Sequence, residues 1–106
     1  MSPAVLRHLV LLRFRPEALA ADIASIEGAF AALRHQIDSV RDLEWGTDVS
    51  PEGLAKGFTH VFMLSFADDA GRDHYLPHPL HQAFVARLQP LLDDVLVIDY
   101  RTSSKD

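Results

Sequence analysis

Cysteine is absent from the 106-residue chain, which removes disulfide frameworks, zinc-thiolate sites and thiol nucleophiles together. No apolar run approaches the roughly 20 residues that a membrane-spanning helix needs. The most apolar segment, Val5 to Phe14, is interrupted by Arg7, His8 and Arg13 and is followed by no small-residue cleavage site, so it reads as a strand and not as a signal peptide. Basic residues are few and scattered. Ten Lys and Arg against fifteen Asp and Glu leave a net charge of -5 with no basic stripe, which argues against nucleic acid as a partner. Gly46, Gly53 and Gly57 form no phosphate-cradling loop, and there is no Gly-x-Ser-x-Gly elbow to expose a serine nucleophile. These absences set the expectation of a cytoplasmic protein with no membrane partner.

What is present is the balance of one globular domain over residues 1–106: 48% of residues are hydrophobic and 24% charged, with 102–106 expected as a loose tail. Val5 to Phe14 is rich in branched side chains and predicts the first strand. Pro16 is expected to open a helix running to about Asp38, with Leu19, Ile23, Ile26, Phe30, Leu33 and Ile37 recurring at spacings of three and four on one face. Residues Val40 to Val49 and Phe58 to Phe66 predict two more strands, joined by a loop through Ser50-Pro51-Glu52-Gly53 and Lys56-Gly57. A short helix over Asp68 to Tyr75, a longer one from Pro79 to about Leu91, and a strand over Asp94 to Tyr100 complete the chain.

The order β-α-β-β-α-β predicts an α+β, ferredoxin-like fold with a four-stranded antiparallel sheet and its helices on one face. The other face is expected to be apolar too, because Leu9-Val10-Leu11-Leu12, Val61-Phe62-Met63-Leu64 and Val95-Leu96-Val97-Ile98 do not alternate with polar residues. With no spare segment to cover it, a second copy of the sheet is the expected partner, giving a homodimer.

Chemistry concentrates in Tyr75-Leu76-Pro77-His78-Pro79-Leu80-His81, where two prolines pin a backbone junction that carries a phenol and two imidazoles. A residue before proline is pushed out of the helical region, so His78 is placed at the N-cap of the helix opened by Pro79, with His81 in its first turn. The partial positive charge of a helix N-terminus disfavours imidazolium, and a neutral imidazole is a usable general base. A purely structural reading stands beside this: His78 as an N-cap acceptor, His81 bonded to a backbone carbonyl, and His8 and His60 packed on apolar strands. A transition-metal site at His74, His78 and His81 is disfavoured, since Pro77 and Pro79 break the helical spacing that would align the rings.

Taken in order, His8 within His-Leu-Val-Leu-Leu-Arg-Phe, Trp45-Gly46, Gly57-Phe58-Thr59-His60, Tyr75-x-x-His78-Pro79-x-His81 and Asp99-Tyr100 resemble the stress-responsive A/B barrel domain (Dabb) family across nearly the whole chain. The resemblance implies a dimeric α+β barrel. Its best-understood enzymatic members are similar to the plant polyketide cyclases, exemplified by olivetolic acid cyclase, which run an aldol-type condensation without a cofactor. By that resemblance Tyr75 and His81 are the catalytic positions and His8, His60 and His78 lie nearby. Pro77 and Arg7 depart from the pattern, the one stiffening the approach to His78, the other adding charge beside His8. Two readings follow: a cofactor-free lyase or cyclase in which His81 abstracts a proton and Tyr75 stabilises the enolate, or a non-catalytic ligand-binding or stress-associated dimer. A purely structural dimerisation module is a third. The pocket is expected between sheet and helices, lined by Phe30, Leu33, Phe62, Leu64 and Phe84, and suited to an apolar or aromatic small molecule. No metal-ligating side chain is assigned; the resemblance allows a structural magnesium ion on backbone carbonyls around Arg34, Ile37 and Val40.

Overall fold

The computed structural model describes residues 4–102. Four strands, β1 (Leu6–Phe14), β2 (Asp42–Thr47), β3 (His60–Phe66) and β4 (Leu92–Arg101), form one sheet in the order β2-β3-β1-β4, with each neighbouring pair antiparallel. Three helices cover one face: α1 (Ala20–Gln36), α2 (Asp69–Tyr75) and α3 (Pro79–Leu88), the last extended by a 3-10 turn over Gln89–Leu91. This is the ferredoxin-like architecture that the order of elements predicts.

Register follows from the pleat. On β1, Leu6, His8, Val10 and Leu12 are buried towards the helices while Arg7, Leu9 and Leu11 face the other way. Pairing His8 with Leu64 on β3 and with Asp99 on β4 carries the same alternation across the sheet. Ile26, Phe30 and Leu33 of α1, Ile37 just beyond its end, and Phe84 and Leu88 of α3 close over Val10, Leu12, Phe62, Leu64 and Phe66 as one core. Each such side chain fully removed from water contributes about 1.5–3 kcal/mol. On the opposite face Leu96, Ile98 and Tyr100 of β4 are exposed beside half-buried Leu9, Leu11, Val61 and Met63. No helix among the described residues is long and apolar enough to cross a membrane.

Several boundaries differ from the sequence expectation for identifiable reasons. The first helix starts at Ala20 and not at Pro16, because Arg15 is tied to the start of β4: its amide donates to the Leu91 carbonyl at 2.8 Å and its Nε to Leu92 at 2.9 Å. The chain must turn before it can coil, and Leu19 is left exposed as an extended N-cap. α3 tightens into a 3-10 turn after Leu88, where Pro90 has no amide to continue the helical ladder. In the β2–β3 loop Gly53 and Gly57 take φ of 71° and 82°, the left-handed region open to glycine. Thr102, expected in a loose tail, is paired: its amide donates to Val5 O at 2.9 Å and its hydroxyl accepts from Val5 N at 3.0 Å. Residues 103–106 of the expected tail lie outside the described residues.

Candidate functional site

The α2–α3 elbow forms as the two prolines dictate. Asp68 caps α2 by accepting the Gly71 amide at 3.0 Å, and the helix runs to Tyr75. The His78 amide then reaches the Tyr75 carbonyl at 3.1 Å, and His78 itself, extended before Pro79, accepts the Leu80 amide on Nδ1 at 3.1 Å. This brings the first turn of α3 back over the end of α2. His81 and Tyr75 therefore meet, their ring centroids 4.3 Å apart and tilted by 41°.

Tyr75 is fully buried against Phe66 and His81, and its hydroxyl has no hydrogen-bond partner among the described residues. Burial pushes the phenol well above its ordinary value, so it is a donor and not a base. His81 donates from Nδ1 to the Leu76 carbonyl at 2.8 Å, which fixes the lone pair of the neutral ring on Nε2. Its basicity is lowered chiefly by burial, with the Leu76 carbonyl opposing and the charges of His8 and His78 adding to the fall. Neutrality near pH 7, expected from the helix dipole, thus owes more to desolvation.

A cavity of about 340 Å³ opens between β1 and β4 beneath α2 and α3. His8, Asp99, Tyr75 and His81 supply its polar end, while Val10, Phe30, Phe84, Leu88, Val95 and Val97 make the rest apolar. His8 stands in T-shaped contact with Tyr75 at 6.1 Å and donates from Nδ1 to Asp99 Oδ1 at 2.6 Å.

Of the residues expected at the pocket, Tyr75, His81, His8, Phe30 and Phe84 are gathered there; five others are not. Leu33, Phe62 and Leu64 are at most 2% exposed and fill the core, Phe62 being covered by the ring of Phe30 stacked on it at 4.0 Å. His60 pairs with Leu12, four residues along the sheet from His8, a distance of about 13 Å. It donates from Nε2 to Glu27 at 2.7 Å and shares a hydrogen bond between Nδ1 and the Thr59 hydroxyl at 2.8 Å, between Trp45 and Phe14. His78 is spent on its cap and faces His74, 5.6 Å away. Arg7 projects from the opposite face of the sheet, where it bonds Ser65, and does not add its charge to the pocket.

Asp99 is the site residue that sequence reasoning missed as a participant. The available signal was its parity: after Val95 and Val97 it is the next residue of β4 on the helix side, a carboxylate where two apolar residues precede it. Among the described residues His74, His78 and His81 form no group of three that could hold a metal ion: His78 faces His74, whereas His81 packs on Tyr75. At the end of α1 the Ile37 carbonyl already accepts the Val40 amide at 3.1 Å, and the nearby Asp42 carboxylate is paired with Arg34 at 3.5 Å. One hydrogen bond takes only one of the two lone pairs of the Ile37 carbonyl, and a cation could take the other.

The family model of the stress responsive A/B barrel domain matches residues 6–102. Among curated proteins, the chain is 34% identical over 98 residues to the stress-response A/B barrel domain-containing protein HS1 of Arabidopsis thaliana, covering 92% of this chain and 90% of that protein. It is 27% identical over 94 residues to olivetolic acid cyclase of Cannabis sativa, covering 89% and 93%. Among solved structures, a crystal structure of an Arabidopsis thaliana protein superposes with a TM-score of 0.88 at 33% identity, covering 98% and 99% of the two chains. The hydroxynitrile lyase from Passiflora edulis shares the fold with a TM-score of 0.90 at 24% identity, covering 99% of each. A dimeric ferredoxin-like protein of unknown function from Thermobifida fusca does so with a TM-score of 0.79 at 23% identity, covering 93% and 92%.

Proposed function

Because the chain belongs to the stress responsive A/B barrel domain family, we propose that it binds an apolar or aromatic carbonyl compound in the Tyr75–His81 pocket and moves a proton at carbon without a cofactor, as a lyase or cyclase. The observation that carries this reading is the Tyr75 hydroxyl: buried at the polar end of an apolar cavity, unpartnered, and beside a neutral imidazole. An unsatisfied buried hydroxyl costs about 1–3 kcal/mol, which a ligand oxygen accepting its proton would recover.

In this mechanism His81 Nε2 takes a proton from a carbon flanked by carbonyls, and the Tyr75 hydroxyl donates a hydrogen bond to the enolate oxygen as charge develops there. The carbanion attacks a second carbonyl of the same molecule, and His81 returns its proton to the alkoxide that forms. The relatedness to olivetolic acid cyclase and the shared fold with a hydroxynitrile lyase favour this class of reaction. The test is deuterium uptake at the acidic carbon of ethyl acetoacetate, followed by proton NMR in dilute buffer where spontaneous exchange is slow. Protein-dependent exchange that disappears in His81→Gln supports the reading; exchange at the buffer rate with wild-type protein refutes it.

A second reading is capture without turnover, favoured by the relatedness to HS1, a protein named for stress response and not for a reaction. It predicts a rise in Tm with aromatic acids or acyl-chain metabolites that Tyr75→Phe weakens, with no exchange. In both readings the protein works as a homodimer joined through the apolar outer face of the sheet, in line with the dimeric state of its structural neighbours.

A further inference from the structure

Resting on the proton-transfer reading of this pocket, we infer that Arg72 is a positioning residue, which through Asp99 fixes the proton of His8 on Nδ1 and lets that imidazole face the pocket uncharged. Arg72 lies on α2, one turn before Tyr75, with its NH1 3.1 Å from Asp99 Oδ2. The other oxygen of the same carboxylate accepts from His8 Nδ1 at 2.6 Å. Guanidinium, carboxylate and imidazole thus form a continuous chain from the helix surface to the pocket wall.

The order of charges matters. A carboxylate alone beside an imidazole favours imidazolium; a guanidinium on its second oxygen supplies the balancing cation, and the imidazole then serves as a neutral donor. Arg72 is well suited to this, because it is permanently charged and held from three sides, its Nε on Asp73 at 3.1 Å and its NH2 3.9 Å from Asp69. The chain is also partly withdrawn from water, with side-chain exposures of 23% for Arg72, 26% for Asp99 and 7% for His8. The neighbouring Arg101–Asp69 pair, at 65% and 47%, is a surface contact by comparison.

Around His8 the other elements bring little competing charge. On β1 Arg7 turns to the opposite face, and the β3 residue paired with His8 is Leu64. On β4 Arg101 is engaged by Asp69, and from α2 come Asp69, Asp73 and the neutral Tyr75. From α3 comes His81, on which a charged His8 acts unfavourably. By holding His8 neutral, Arg72 removes a charge that would lower the basicity of His81 further, so His81 holds an abstracted proton more tightly.

The experiment is a pH titration of the imidazole nitrogens of labelled full-length protein by long-range proton–nitrogen NMR, which reads tautomer and charge of His8 directly. Wild-type His8 is expected as the Nδ1–H tautomer. Arg72→Met should raise its protonation midpoint by about one pH unit, tenfold in proton affinity. Arg72→Lys, which keeps the charge, should move it much less, and Asp99→Asn should abolish the effect of Arg72→Met. Should Arg72→Met not fold, Arg72→Gln keeps a donor without charge and carries the same expectation. An unmoved midpoint, or the Nε2–H tautomer in the wild type, overturns the inference. The outcome is separable from the pocket's chemistry: loss of deuterium exchange in His81→Gln with an unmoved His8 defeats the Arg72 role alone, and the reverse pattern defeats the proton-transfer reading alone.

Discussion

Tyr75 and His81 were legible as a pair because proline chemistry is local: Pro77 and Pro79 fix the turn that folds one ring onto the other, whatever the rest of the chain does. Their state was not legible, because it depends on burial. Since the Tyr75 hydroxyl is buried without a partner, Tyr75→Phe should leave the ligand-free protein as stable or more stable, by up to about 1–3 kcal/mol in urea unfolding, while slowing deuterium exchange. A loss of stability would mean that the hydroxyl is already satisfied. Removing the base in His81→Gln should cost about 10²- to 10⁴-fold in exchange rate with little change in Tm. His81 sits below its ordinary value of 6.5, so on lowering the pH the exchange rate should hold through 6.5 and fall only beyond it. The linkage has the same sign: the unfolded chain takes up the proton first, so the stability His81 contributes is full above 6.5 and is lost as the pH falls below it. Asp99 is the opposite case, a residue whose role needs the β1–β4 register before its partner His8 can be named.

At the scale of elements, periodicity found the strands and helices, and the ends moved wherever a long-range contact outranked local preference. Arg15, held by Leu91 and Leu92, delays α1; nothing in the sequence around Pro16 reports that tie. The elbow is the reverse, since His78 caps α3 as its place before Pro79 requires. His78→Ala should therefore lower stability by about 1 kcal/mol, with His78→Asn, another side-chain acceptor, recovering most of it, as measured by denaturant midpoint. Both variants should retain deuterium exchange. Loss of exchange in His78→Asn at unchanged stability would instead give His78 a part in the chemistry. The helical spacing of Leu33 and the strand parity of Phe62 and Leu64 gave their inward faces correctly, but inward-facing includes both core and cavity wall, and only packing separates them.

For the whole molecule, the outer face of the sheet carries the remaining expectation. Leu96, Ile98 and Tyr100 are exposed at 42%, 48% and 45% beside Leu9, Leu11, Val61 and Met63, a contiguous apolar surface of the kind that marks an interaction site. Sedimentation should find a dimer at micromolar concentration, and Ile98→Asp should shift it towards monomer; a wild-type monomer would remove the sheet-to-sheet interface. The order β-α-β-β-α-β, the apolar character of both sheet faces and the proline-locked elbow were determined by the sequence itself, because each depends on spacing along a few residues. The position of the cavity, the burial that neutralises His81 and strands the Tyr75 hydroxyl, the removal of His60 to a separate partnership with Glu27, and the Arg72–Asp99–His8 chain were decided by tertiary structure. They join residues as far apart as 91 positions, and only strand register and helix packing bring such residues within hydrogen-bonding distance.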